Sequence, residues 1–343
     1  MRLRYSVITN LVILASLAWA PALAFGAPNV QSVTTDQADG QTLIITGSNF
    51  ESAEFPIILD TADDWQVVQQ NDSYSTLSPS ELWSEEGSAW ATPLEVVSGT
   101  GPLGEQSNRL YYGKRKSYNR YFTPFQDENN NSLYVSWWFK PSESPNAAGG
   151  SNKFIRIWDD DGGNNTRISW TNMHLTYSTG DLGLEGVEWG TWSGDENKWN
   201  LMEIYVDSSN NSIRTWVNGD LLHNVKDFRK SPINKGLNAK LIGFDPSVSD
   251  PYQNLEFQID NIYVSKEPTR VVASLHKTWD RAKSEHLALF PKKWTATRIH
   301  VDAEEILDDG RSYYLYVVDQ SGAANTNGVT LCPKCPARIE LRL

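Results

Sequence analysis

Between Trp137 and Trp216, five short segments alternate polar or aromatic residues with apolar ones, and the polar half has chemistry suited to holding a sugar. LMEIYVD (201–207) sets Glu203, Tyr205 and Asp207 against Met202, Ile204 and Val206. SIRTWVN (212–218) sets Arg214, Trp216 and Asn218 against Ile213 and Val217. KFIRIWD (153–159) offers Arg156 and Trp158, SWWFK (136–140) offers Trp138 and Lys140, and WTNMHLTY (170–177) offers Asn172 and His174. A period of two sends alternate side chains to opposite faces of a strand. A pyranose packs its C–H face on an indole or phenol ring, which combines apolar area with a polar handle. Its hydroxyls then need fixed partners such as Arg, Asn and Glu. A sugar carboxylate would favour Arg156, Arg214 and Lys140, because guanidinium pairs with carboxylate through two parallel hydrogen bonds.

Bond cleavage asks for more. Glycoside hydrolysis needs two carboxylates roughly 5–9.5 Å apart. Glu203 is the best single candidate, with no partner evident in the sequence. The carboxylates of Asp181–Glu188 are interrupted by Gly183 and Gly186, which argue for a loop. Elimination beside a uronate needs a Tyr or His to take the proton and an Arg or Asn to neutralise the carboxylate. His174, Tyr205, Arg156 and Asn172 are the right types; Tyr177 falls on the opposite face from His174. The catalytic set to examine is therefore His174, Tyr205, Glu203 and Arg156. The expectation is that Arg156, His174, Glu203, Tyr205 and Arg214 converge in one cleft, with Trp138, Lys140, Trp158, Asn172 and Trp216 completing a substrate-binding face.

The elements that must position these residues are strands. LYVSWWFKP, NKFIRIWDD, TRISWTNMHLTY, NKWNLMEIYVD, SIRTWVNGDLL, AKLIGF and LEFQIDNIYVS are separated by turn clusters such as DENNNS, DSSNNS and NGD. No long amphipathic helix appears; Ser80–Trp83 and Thr278–His286 read as short helical turns. Many short strands at regular spacing indicate an all-β sandwich or jelly roll. Residues 28–50 contain two strands and an Asp-Gly turn, too little to bury a core alone. Their natural completion is 294–329, so the chain divides into 28–55 and 267–331, two parts of one sandwich, with 56–266 inserted between them.

Composition bounds the rest. Arg2 and Arg4, the apolar run 11–20 and Ala22-Leu-Ala24 read as an export leader over 1–24. Removing it takes the formal net charge from −12 to −14, since two arginines leave, and 14 Trp become 13 with the loss of Trp19. An acidic chain lacks the basic footprint of nucleic-acid binding, and no stretch beyond the leader is apolar enough to span a bilayer. Cys332 and Cys335, in a 332–343 tail, suit a local disulfide in an exported protein. Pro333 and Pro336 disfavour the helix a redox pair needs, and no second ligand pair supports zinc.

Two resemblances follow. P-x-V-x-S-V…G-x-T-L-x-I-T-G-S-N-F (28–50), closed by W-x-A-T-x-I…Y-Y-L-Y-V-V-D-x-x-G (294–322), resembles an IPT/TIG domain, an immunoglobulin-like fold. W-N-L-M-E-I-Y-V-D, R-T-W-V-N-G-D and F-Q-I-D-N-I-Y-V, within 56–266, resemble the concanavalin A-like lectin/glucanase jelly roll. The layout as a whole, a jelly roll set inside a split IPT/TIG sandwich, resembles that of bacterial exported proteins. These resemblances imply an exported polysaccharide-binding protein; the alternatives are a polysaccharide lyase and a non-catalytic adhesion or structural module. The E-x-D-x-x-E string of the glucanases and the R-T-E-x-R and Y-F-K-A-G strings of alginate-lyase jelly rolls are absent. Jelly rolls of this group often hold a structural calcium ion between the first and last strands, which points to Asp60 and Asp260. Asp159–Asn164 is a second oxygen-rich loop, but Trp170 stands where a calcium loop would place its bidentate Glu.

Overall fold

The computed structural model describes residues 26–331 apart from 63–64, 69–73, 77–81, 87–91, 123–124, 126–127, 148, 160–164, 234, 248–251 and 309. The leader, Cys332 and Cys335, and most of the Asp159–Asn164 loop lie outside the described residues. The fold is all-β with antiparallel ladders, and among the described residues helix is confined to short pieces such as Trp279–Ala282 and Glu304–Asp308.

The middle of the chain forms a two-sheet sandwich of the jelly-roll kind. Among the described residues one sheet has ten strands. From one edge it runs Asp220–Val225, Ser212–Val217, Asn200–Asp207, Ser132–Pro141, Glu256–Ser265 and Ile57–Asp60 in lateral order. The facing sheet has seven, with Leu184–Trp189, His174–Thr179, Thr166–Thr171, Lys153–Trp158 and Asn238–Asp245 in order from one edge. The alternation read from the sequence sets the dry interior. Met202, Ile204, Trp137 and Phe139 come from the ten-stranded sheet, and Ile155, Ile157 and Trp170 from its partner. Trp137 meets Trp170 edge-on across the gap, with ring centroids 5.6 Å apart. The hairpin between Ser212–Val217 and Asp220–Val225 turns on Asn218 and Gly219, at φ 52° and 75°. Two consecutive left-handed residues match the twist of the strands they join, and asparagine and glycine tolerate that region best.

The two ends of the chain meet in a second, smaller sandwich. Thr42–Ser48 pairs with Asn29–Thr35 on one side and with Arg298–Asp302 on the other, with Leu43 opposite Val301 and Ile45 opposite Ile299. Pro291–Trp294 completes that sheet. The second sheet orders Leu287–Leu289, Arg270–Ser274, Tyr313–Val318 and Val329–Leu331. Leu43, Ile45, Val271, Ile299, Leu315 and Val317 fill the space between.

This terminal sandwich packs against the outer face of the ten-stranded sheet. Trp138 and Leu201 join its core, and Tyr134, Tyr205 and Tyr263 pack with Ala288 and Phe290. Every residue of Asn200–Asp207 is therefore buried, on both faces. The sequence expectation of a wet polar–aromatic face is corrected here. The alternation is present, but a second unit of the same chain covers much of the polar side.

Candidate functional site

The expected cleft does not assemble. Arg156, Trp158, Asn172 and His174 belong to the seven-stranded sheet and its turns, whereas Trp138, Lys140, Glu203, Tyr205, Arg214 and Trp216 belong to the ten-stranded sheet. Polar faces of two sheets that share one core point in opposite directions, so Arg156 and His174 diverge from Glu203 and Tyr205. Each of the first group has local work. Arg156 Nη2 pairs with Asp245 at 3.0 Å, and Trp158 lies under the Arg167 guanidinium at 4.8 Å. Asn172 Oδ1 accepts from the Asn152 N–H at 2.8 Å within a buried turn. His174 packs on the exposed Trp189 at 5.0 Å, and burial, with Lys153 nearby, pushes its pKa below the usual imidazole value. Lys140 sits over Trp199 at 5.8 Å, away from the others.

On the ten-stranded sheet, register brings the remaining residues into rows. Tyr134 lies opposite Tyr205, which lies opposite Arg214. Ser136 lies opposite Glu203, which lies opposite Trp216, and Trp138 lies opposite Leu201. The terminal sandwich seals part of these rows. Trp138 Nε1 donates to the His286 carbonyl at 3.0 Å. Glu203 Oε1 accepts from Tyr134 Oη at 2.6 Å and from Arg270 Nη2 at 2.9 Å. Arg270 comes from the terminal sandwich and stacks 4.8 Å from the Tyr134 ring. Glu203 is thus an interdomain anchor, which corrects its candidacy as an unpartnered catalytic acid.

Where the cover stops, a groove opens. A cavity of about 760 Å³ has Tyr205, Asp207 and Arg214 on the sheet side and Glu51, Glu54 and Gln320 on the terminal-sandwich side. A smaller one of about 300 Å³ has Trp216, Glu203 and Arg214 on the sheet side and Arg270, Trp279 and Lys283 opposite. Arg214 and Ser321 line both, so the two chambers meet there. The larger chamber is acidic: Glu267 lies among Glu51, Glu54 and Asp207. Burial first, then those three carboxylates, raise its pKa to about 7, against a hydrogen bond from Gln320 that lowers it. At the junction, the Arg214 guanidinium is 5.4 Å from the Tyr205 ring and 5.5 Å from the Trp216 ring. Tyr205 Oη donates to Asp207 Oδ2 at 3.4 Å. Burial first, then Asp207 and Glu267, hold the phenol protonated well above its usual range, which unsuits it as a base near neutral pH.

Of the sequence candidates, Tyr205, Arg214, Trp216 and Glu203 reach the groove. Trp279, Lys283, Arg270 and Glu267 were missed, because they come from the second part of the terminal domain. The only signal for Glu267 and Arg270 was their position just after the last jelly-roll strand. Trp279 lies in the Thr278–His286 segment that reads as a helical turn, of which Trp279–Ala282 is helix, and that pattern says nothing of what the ring faces.

Calcium takes six to eight oxygen ligands. Asp60 instead accepts from Tyr111 Oη at 2.8 Å, Trp83 Nε1 at 3.2 Å and the Ala62 N–H at 2.9 Å, donors that fit a core carboxylate rather than an ion cage. Burial raises its pKa to about 6 against those hydrogen bonds. Asp260 accepts from the Asn261 N–H at 2.7 Å, and burial, then Glu305, raise its pKa well above the carboxylate range. Among the described residues no three His, Cys, Asp or Glu side chains are grouped to hold a metal ion. The calcium reading gains no support from these bonds.

No protein-family model matches the sequence, and no curated protein matches it. Similar solved structures include the cellulose-induced protein Cip1, at TM-score 0.38 and 14% identity, over 55% of this chain and 93% of that one. Another is the botulinum neurotoxin serotype D binding domain, at 0.36 and 12%, over 71% of this chain and 56% of that one. A third is domain 4 of AbnA, a GH43 extracellular arabinanase from Geobacillus stearothermophilus, in complex with arabinotriose, at 0.35 and 16%, over 50% and 75%. Likeness at this level does not bear on what this chain binds. Among the described residues no helix is long and apolar enough to cross a membrane.

Proposed function

We propose that the protein is an exported polysaccharide-binding protein that holds a glycan in the groove between the ten-stranded sheet and the terminal sandwich. The observation that carries this reading is the pair of chambers joined at Arg214 and Ser321, walled by Tyr205 and Trp216 on one side and Trp279 on the other. Aromatic rings give a pyranose its apolar seat, and the polar side chains between them meet its hydroxyls. The terminal sandwich, read as IPT/TIG-like, then serves as one wall of the site as well as a holder. The reading is of binding, not cleavage. Glu203 is engaged by Arg270 and Tyr134, and His174 and Arg156 lie on the other sheet. Export rests on the leader-like first 24 residues.

Native gels cast with individual neutral and acidic polysaccharides test the proposal. At least one polymer retards the wild-type protein. Trp216→Ala and Trp279→Ala each weaken that retardation about tenfold, as loss of roughly 1.4 kcal/mol of ring contact requires. A folded protein that no polysaccharide retards, or variants that bind as well as wild type, would refute the groove as the site.

A further inference from the structure

The groove is divided by charge. The chain is acidic overall, at −12. The larger chamber follows that bias: the carboxylates of Glu51, Glu54, Glu128, Asp207 and Glu267 outnumber the two cations on its walls, Lys266 and the shared Arg214. The smaller chamber reverses it: Arg214, Arg270 and Lys283 line it beside a single carboxylate, Glu203. Glu203 is already bound by Arg270, so the chamber holds excess positive charge.

Two of these cations have hydrogen-bonding capacity that the protein does not use. Arg270 is 4% exposed, and its Nε is shut off from solvent without an acceptor. Its other nitrogens are directed to Glu203 and the Pro268 carbonyl. Arg214 contacts the Tyr205 and Trp216 rings, and its Nε is likewise buried without an acceptor. The Arg214 guanidinium lies 5.4 Å from the Tyr205 ring and 5.5 Å from the Trp216 ring, and the residue lines both chambers, which puts its charge at their junction. Lys283 is tied only to Asp280, at 3.6 Å, and that carboxylate is 94% exposed, so the pair is weak. At about 300 Å³, the chamber lies at the small end of ligand-binding cavities.

Resting on the groove reading above, we infer that the smaller chamber selects an anionic sugar unit, one bearing a carboxylate or a sulfate, with Arg214 as its principal partner. Trp216 and Trp279 seat the ring, and Lys283 adds charge at the mouth. The carboxylates of the larger chamber repel a second anion, so the anionic unit is directed to the Arg214 end and the glycan is oriented. The ligand is an acidic glycan in which uncharged units occupy the larger chamber.

The test compares one uronate-containing oligosaccharide with its carboxyl-reduced form, identical in rings and linkages, by calorimetry on the full chain. The acidic form binds at least about tenfold tighter, and the preference shrinks as salt rises. Arg214→Gln narrows the ratio to about twofold, and Lys283→Gln, which removes the charge from a half-buried side chain, narrows it in part. A sulfated version of the reduced oligosaccharide restores tight binding if the site reads charge alone; if it does not, a carboxylate is the required anion. Equal binding of the acidic and reduced forms, or an undiminished preference in Arg214→Gln, overturns the inference while leaving the groove in place. Failure of both oligosaccharides to bind, with Trp216→Ala also without effect on every polymer that retards the wild type, overturns the groove reading and this inference together.

Discussion

Glu203→Leu is expected to destabilise the protein by about 4 kcal/mol. The magnitude follows from what the substitution leaves behind. The Arg270 and Glu203 side chains are 4% and 9% exposed, and their charged atoms are 2.9 Å apart. Leucine keeps most of the glutamate's volume, so little of the loss comes from a cavity. Arg270 retains only the Pro268 carbonyl, at 2.8 Å, and its charge stays buried. Breaking a buried pair by removing one partner costs about 3–5 kcal/mol. The Tyr134 hydroxyl, 2.6 Å from Glu203, also loses its acceptor, which places the estimate above the lower end of that range. Replacing both charged residues, Glu203→Leu with Arg270→Met, removes the stranded charge and recovers about 2 kcal/mol or more. Urea melts at pH 7 measure these differences through the midpoint and slope of unfolding. The pair joins Ser132–Pro141 and Asn200–Asp207 of the jelly roll to Arg270–Ser274 of the terminal sandwich, so the single variant should also split one unfolding transition into two. A loss under about 1 kcal/mol for Glu203→Leu, or strict additivity in the double variant, would show that the pair is not the interdomain anchor.

Other outcomes follow from the same geometry. Burial raises the folded pKa of Glu267 from its ordinary 4.5 to about 7, so the native state holds its proton where the unfolded state has lost it. Stability contributed by the neutral form therefore falls as pH rises through that window. Glu267→Gln gains about 1 kcal/mol at pH 8.5, after allowance for solvent at the groove mouth, and nothing at pH 4; an equal gain at both pH values would discount the charge. His286 and His223 behave oppositely: burial, foremost, lowers them to about 3 and about 4. The unfolded chain takes up protons first, and stability from these two is lost as pH falls below about 6.5. His286→Asn should flatten that acid limb in thermal melts; an unchanged limb would remove His286 as a cause. Calcium titration should leave the melting midpoint unmoved, because the described oxygens of Asp60 face donors, whereas a rise by linkage would restore the ion site.

The alternating segments were legible because their cause is local. Met202, Ile204 and Val206 face the jelly-roll core, and Glu203 and Tyr205 face away, as a period of two dictates. Asn218-Gly219 marked its hairpin for the same reason. Of the candidate site, Tyr205, Arg214 and Trp216 share a neighbourhood that short-range pattern can foresee, because all three lie on adjacent strands. His174 and Arg156 carry the same local pattern but belong to the facing sheet. Trp138 also carried the pattern of an open face, yet its indole is sealed against His286.

By itself the sequence determined that the chain is all-β, which side of each strand is dry, and where its hairpins turn, because those properties depend on neighbours one to four residues away. Tertiary structure decided which sheet each strand joined, that Leu43 would lie opposite Val301, and that the terminal sandwich would cover Glu203 while leaving Arg214 at the meeting of two chambers. The reason is physical. A polar face costs nothing to expose and little to bury once partners satisfy it. Alternation therefore fixes the face a side chain takes, while the solvent or protein it meets there is set by contacts hundreds of residues apart.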